Sequence, residues 1–257
     1  MRVPQADPDE RWFRTYAAAR RPRRRLVVLP HAGGWATYFH AWGTAFDEGT
    51  EVLVARYPGR LDRLAEPCAT SMDEFADQVS AALRPRLDIP VTLFGHSMGA
   101  SLAYEVALRL RTRYGVNPAG LHVSSRRPPH LLRPRALHEE GDEALLAEVG
   151  RLGGTDPSVL ADPYFREVAL PAIRADFRIV GTYGPRAADP VPCPVYAYVG
   201  DRDPTAPVED MEAWADVAPH GFRLDVLPGG HFYLRERHEA LVGAVAGRLM
   251  ATAGADG

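Results

Sequence analysis

Apolar residues along the chain gather in short unbroken runs, and the stretches between them carry apolar residues at helical spacing. Leu26-Val27-Val28-Leu29, Glu51-Val52-Leu53-Val54-Ala55-Arg56, Val91-Thr92-Leu93-Phe94 and Gly120-Leu121-His122-Val123-Ser124 are such runs. Val195-Tyr196-Ala197-Tyr198-Val199 and Phe222-Arg223-Leu224-Asp225-Val226-Leu227 follow near the C-terminus. Runs this short predict strands, and unbroken ones predict strands covered on both faces, as in a parallel sheet. After the first run, Phe39, Trp42 and Phe46 recur at three- and four-residue intervals and predict a helix over 35–46. After the second, Phe75, Val79 and Leu83 do the same. Ser71 is the expected N-cap there, with Glu74 as its capping-box partner. Strand and helix alternating in this way define an α/β fold with a mostly parallel central sheet flanked by helices.

The alternation breaks over 126–190. Arg126-Arg127-Pro128-Pro129 ends the strand rhythm, and two helical patterns follow. One holds Leu145, Leu146, Val149 and Leu152; the other holds Phe165, Val168, Ile173, Phe177 and Val180. Prolines at 157, 163 and 185 punctuate them. An α-helical insertion at this point of such a fold is the expected place for a lid over an apolar site. The plainer alternative is extra helices packed on the core. The 257 residues suit one domain, 1–257, with the 126–190 segment inside it.

Charge narrows the function classes. The 30 cations are all arginine and face 33 acids, for a net charge of −3, so no bulk nucleic-acid field is implied. No apolar stretch approaches the roughly 18 residues that span a membrane. Residues 1–11 are polar, read as a loose arm and carry no signal-peptide core, and the tail from 251 is expected to fray. These features point to a cytoplasmic protein, in which Cys68 and Cys193 are reduced, buried thiols. The dense run Arg20-Arg21-Pro22-Arg23-Arg24-Arg25 is either a docking patch for an acidic partner or a solvated stretch before a strand.

The chemistry begins at Gly95-His96-Ser97-Met98-Gly99, directly after the run at 91–94. Gly-x-Ser-x-Gly between a strand and a helix predicts a turn so tight that Ser97 is strained and its hydroxyl exposed. Pro30-His31-Ala32-Gly33-Gly34 leaves the first strand as a glycine-rich loop. Acyl-transfer sites of this architecture take one oxyanion donor from that loop and one from the residue after the nucleophile, here the Ala32 and Met98 N–H groups. His31 reads as a loop-fixing hydrogen-bonding residue and not as a base. Later strands empty into Gly200-Asp201-Arg202-Asp203-Pro204 and into Pro228-Gly229-Gly230-His231-Phe232. Serine, then aspartate, then histidine is the α/β-hydrolase order, so Ser97, an acid from the 201–203 loop and His231 form the expected triad. Asp203, at the loop apex, is favoured; Asp201, nearer the strand, is the alternative. No histidine or cysteine spacing suggests a metal, and no cofactor is expected.

Five stretches then resemble the free-standing type II thioesterases of polyketide and nonribosomal peptide assembly lines. They are Pro-His-Ala-Gly-Gly at 30–34, Tyr-Pro-Gly-Arg at 57–60, Gly-His-Ser-Met-Gly at 95–99, Pro-Ala-Ile-Arg-Ala-Asp-Phe-Arg at 171–178 and Pro-Gly-Gly-His-Phe at 228–232. The resemblance covers about Trp12 to Met250. It implies hydrolysis of stalled or misprimed acyl groups from the phosphopantetheine arm of acyl or peptidyl carrier proteins, and it supports Asp203 as the acid. The Arg20–Arg25 run matches no motif of that family. Three rival readings use the same fold: a small-molecule esterase or lipase, a cyclising or acyl-transferring thioesterase, and a non-catalytic binding protein.

Overall fold

A computed structural model describes residues 11–17, 19 and 21–253. All six runs form strands: β2 (Arg24–Leu29), β3 (Thr50–Ala55), β4 (Val91–His96), β5 (Gly120–Ser124), β6 (Val195–Gly200) and β7 (Phe222–Leu227). Their ladders are parallel throughout. A short β1 (Phe13–Thr15) adds an antiparallel edge beside β3, giving the order β1-β3-β2-β4-β5-β6-β7. This is an α/β-hydrolase sheet. β1 was not foreseen, because three residues with one inward-facing Phe13 carry almost no periodic signal. The chain runs from β2 outward to β3, then returns to place β4 on the other side of β2. That reversal opens a crevice beyond the C-terminal ends of β2 and β4, where sheets of this kind bind ligands.

Every residue of β2, β4 and β5 is buried, as the unbroken runs require. On one face, α1 (Met72–Leu83) and α2 (Met98–Tyr114) cover Val27, Leu29, Leu93 and Val123. On the other, Phe39 and Trp42 pack with Leu26, Val28 and Phe94, joined by Leu241 and Val245 of α8 (His238–Ala253). The short α6 (Val208–Glu212) and α7 (Tyr233–Glu236) follow β6 and β7.

Three local expectations are corrected. The helix over 35–46 is a 3-10 segment, Ala36–Thr44, broken at Phe39 (φ −100°, ψ 18°). Its buried residues are Ala36, Phe39 and Trp42. They stand three apart, and three residues per turn aligns them where an α-helix would fan them out. At α1, Ser71 Oγ does accept the Glu74 N–H at 3.1 Å. The returning Glu74 carboxylate instead accepts from Thr70, N–H at 2.8 Å and hydroxyl at 2.6 Å, one residue before the cap. Third, the basic run is not one surface: Arg24 and Arg25 are buried in β2. Arg24 pairs with Asp47 at 2.6 Å, and Arg25 pairs with Glu51 at 2.5 Å and with Asp88. Arg20 lies outside the described residues, as do positions 1–10 of the expected arm. Cys193 is buried, whereas Cys68 is half-buried; both are free thiols.

Between β5 and β6 the chain forms α3 (Asp142–Leu152), α4 (Pro157–Ala161) and α5 (Pro163–Thr182). Asp156 and Asp162 cap the latter two by accepting the Ser158 and Phe165 N–H groups. Proline follows each cap, where a missing N–H costs nothing. The apolar face of α5, Ile173 and Phe177 included, points at the crevice above β2 and β4.

Candidate active site

The elbow has the geometry its spacing demands. β4 ends at His96 and α2 begins at Met98, leaving Ser97 alone at φ 55°, ψ −119°. A Cβ on Gly95 would lie 2.0 Å from the Gly99 carbonyl oxygen, and one on Gly99 would lie 2.0 Å from that of Leu29. Helix, strand β4 and strand β2 therefore close up only with glycine at both positions. The Ser97 N–H donates to Ser124 O at 2.8 Å, which pins the turn to β5.

His231 and Asp203 meet across the loops after β7 and β6, Nδ1 to Oδ2 at 2.9 Å, both side chains almost wholly buried. Burial by itself would raise the Asp203 carboxyl. The hydrogen bond and charge of His231, the Thr205 amide and the Ser125 hydroxyl outweigh it and hold the group below its usual value. Thr205 donates to Asp203 Oδ1 from both its N–H and its hydroxyl at 2.8 Å, and that hydroxyl lies 3.0 Å from His231 Nδ1. Asp201 points elsewhere: its Oδ1 accepts the Gly229 N–H at 2.8 Å and ties the two loops together. The two candidate acids thus separate cleanly, with Asp203 on the imidazole and Asp201 on backbone.

In the loop after β2, the Gly33 N–H is taken by Asp176 at 2.7 Å and the Gly34 N–H by His31 O at 2.9 Å. Ala32, one residue earlier in the loop, lines the cavity. Met98 N–H opens α2 and has no acceptor within the helix, at its positive end. His31 fixes the loop through its backbone carbonyl, which accepts the Gly34 N–H, and not through its ring Nδ1. Its Nδ1 has no hydrogen-bond partner, and the ring is held by edge contacts with Tyr38 (4.8 Å) and Phe232 (4.7 Å). Burial pushes it down to about 3, with the charges of His231 and Arg60 adding. His96 lies 5.1 Å from the His231 ring and is held well below the ordinary value by burial first, then by the charges of His231 and His31. His96 therefore stands against the His231 ring, and His31 lies behind it, 5.7 Å from His96.

Ser97, His231, Ala32 and Thr205 open onto one cavity of about 150 Å³. Phe165, Ile173, Phe177 and Val180 of α5 and Val149 and Leu152 of α3 form its apolar wall. Arg126 lies in the same wall, its Nε donating to Ser101 Oγ at 2.9 Å, and burial pushes it down to about 10. A serine hydroxyl on a strained turn, beside an imidazole fixed by a carboxylate, is an arrangement that can open an acyl bond. Among the described residues no cluster of His, Cys, Asp or Glu converges as a metal site would. None of their helices is long and apolar enough to cross a membrane.

The sequence profile of the thioesterase domain matches residues 24–249. The chain belongs to the thioesterase family. It is 42% identical over 245 residues to thioesterase PikA5 of Streptomyces venezuelae, spanning 95% of this chain and 87% of that one. Among solved structures it is similar to the type II thioesterase BorB from the borrelidin biosynthetic cluster: 40% identity, TM-score 0.87, 96% of this chain and 100% of that chain. RedJ, a thioesterase from the prodiginine pathway of Streptomyces coelicolor, superposes with TM-score 0.82 at 35% identity, covering 96% and 90%. For a thioesterase, the residues that sequence reasoning missed are Thr205, Ser125, His96 and Asp176. Thr205 left a signal as the Asp-x-Thr of an Asx turn, and His96 and Asp176 only as members of the stretches at 95–99 and 171–178; Ser125 declares itself through contacts distant in sequence.

Proposed function

We propose that this thioesterase hydrolyses acyl groups carried on the phosphopantetheine arm of acyl or peptidyl carrier proteins, clearing stalled or misprimed units from a polyketide or nonribosomal peptide assembly line. Ser97 Oγ attacks the thioester carbonyl while His231 Nε2 takes its proton, and Asp203 holds the opposite ring nitrogen and the charge that forms. The Ala32 and Met98 N–H groups receive the oxyanion. Collapse expels the pantetheine thiolate, which regains the proton from His231 and leaves with the carrier. Water, deprotonated by the same imidazole, then attacks acyl-Ser97 and releases a free acid. The protein brings no cofactor to this sequence; the arm belongs to the partner.

The observation that carries this reading is the convergence in one cavity of strained Ser97, the His231–Asp203 pair and an apolar wall from α3 and α5. A thioester carbonyl is poorly resonance-stabilised and its thiolate departs readily, so these groups suffice. The helices of 126–190 act as the lid of the acyl chamber. Exposed Arg133 on the cavity rim is a point at which an acidic carrier is steered. The test compares one acyl group on a carrier arm, on N-acetylcysteamine and as an oxygen ester. The carrier thioester should lead in kcat/KM by more than about tenfold, since contacts remote from the carbonyl add to transition-state binding. Equal rates on the ester, or a macrocyclic product in place of free acid, would point to the rival readings.

A further inference from the structure

Three of the five signature stretches enter the site above only through the Ala32 amide and the wall residues Ile173 and Phe177, yet they meet at one point. Arg60, ending Tyr-Pro-Gly-Arg, bonds Asp176 of α5 with both ends of its fork, each at 2.9 Å. Both side chains are almost completely buried, at 5% and 2% exposure. The pair then grips the loop after β2. Asp176 Oδ2 accepts the Gly33 N–H at 2.7 Å, and Arg60 Nη1 donates to the Gly34 carbonyl at 3.2 Å. Tyr57 adds a third hold from the same turn, its hydroxyl donating to Pro30 O at 3.0 Å. Gly33 itself sits at φ +71°, and a Cβ there would come within 3.0 Å of Ile173 on α5.

A buried ion pair is an expensive way to join a helix to a loop, since apolar contacts of similar volume do so without the desolvation penalty. What the pair supplies here is direction. By taking Gly33 N–H and Gly34 C=O, it fixes the peptide planes that follow Ala32, and so the way the Ala32 N–H points. We infer that Arg60 and Asp176 are positioning residues for the oxyanion donor Ala32, and that they lock this donor to α5, the helix that walls the acyl chamber. The inference rests on the proposed acyl-Ser97 reaction. Asp176 is placed on the same helix face as Ile173, Phe177 and Val180, so donor and chamber wall move as one body. An acyl chain that displaces the wall displaces the donor with it.

The test uses Arg60→Lys, which keeps the charge but cannot bond both carboxylate oxygens, and the apolar double variant Arg60→Met with Asp176→Leu, which leaves no buried charge unpaired. Three quantities are read on a carrier thioester and a small thioester: kcat, KM and the inhibition constant of an alkylboronic acid. Ser97 Oγ adds to that boron, its proton passing to His231, and a boronate oxygen then occupies the oxyanion position. The donor role predicts that kcat falls about 10- to 100-fold in the double variant. KM should stay within about twofold, and boronate inhibition should weaken in parallel with kcat. Arg60→Lys should fall between wild type and the double variant on both measures. A double variant that folds, by circular dichroism and a cooperative melt, and keeps wild-type kcat and boronate inhibition would overturn the inference. So would a rise in KM with kcat unchanged, which makes the pair a shaper of the chamber alone. Ser97→Ala run alongside separates the two layers: activity surviving there removes the acyl-enzyme reading, whatever the pair does.

Discussion

Ser97 occupies a backbone region that costs a non-glycine residue about 1–3 kcal/mol, and the elbow holds it there by close contacts on both sides and the Ser124 bond. Geometry of this kind sets hydroxyl position, and the aspartates then set the base. Because Asp203 alone reaches His231, Asp203→Asn is expected to lower kcat by about 10³–10⁴-fold, by favouring the wrong imidazole tautomer. Asp201→Asn, losing one loop contact to Gly229, should cost less than about tenfold in kcat and mainly stability. Steady-state kinetics of both variants decides it, and the reverse ranking would move the triad to Asp201. The buried histidines make a separate claim about pH. His31 and His122 are pushed down to about 3 by burial, and His96 is also well below 6.5. Below pH 6.5 the unfolded chain binds protons at these positions that the folded chain refuses, so stability must fall as pH falls. Each histidine contributes up to about 1.4 kcal/mol per pH unit. Urea midpoints between pH 7.5 and 5 should drop steadily, and the slope should lessen by about a third in His122→Gln. A flat profile would mean these rings are charged in the folded protein.

The elements differ in how plainly they could be read. Strands β2 to β6 were legible because burial at nearly every position forces apolar runs, and Leu26–Leu29 or Val195–Val199 has no helical reading of that length; β7, with no buried residue, shows only as a short run closing the strand–helix alternation. The elbow was legible because its glycines answer a steric demand that is local in sequence. The segment Ala36–Thr44 misled, since Phe39 and Trp42 at three-residue spacing fit an α-helix as well as the 3-10 helix that forms. Arg60 and Asp176 were legible only as members of unexplained motifs, because a contact spanning 116 positions leaves no trace in spacing. The helical segment yields its own prediction. Val180 lines the cavity from α5, so Val180→Trp should shorten the longest acyl chain hydrolysed while leaving short acyl groups within about twofold in kcat. Measured across a chain-length series, an unchanged profile would mean that α5 does not bound the acyl site.

At the scale of the whole molecule, topology explains why these parts meet. Reversal of strand order at β2 and β4 sets the Ala32 loop beside Ser97. The loops after β6 and β7 bring Asp203 to His231, and α3 and α5 roof the crevice so formed. Sequence order alone singled out the loops that meet at Ser97; which of two aspartates turns toward His231, and what grips the loop after β2, depend on packing that only the folded chain supplies. In the proposed reaction, acyl groups pass from a carrier arm to Ser97 and then to water. Rapid quenching of wild type and Ser97→Ala with an acyl-loaded carrier protein, followed by intact mass spectrometry of both proteins, tests it directly. Wild type should return the carrier to its free-thiol mass and show a transient acyl adduct that maps to Ser97. Ser97→Ala should form no adduct and leave the carrier acylated, its turnover down by at least about 10³-fold. Deacylation of the carrier by Ser97→Ala at near wild-type rate, or a carrier left acylated by wild type, would contradict the account.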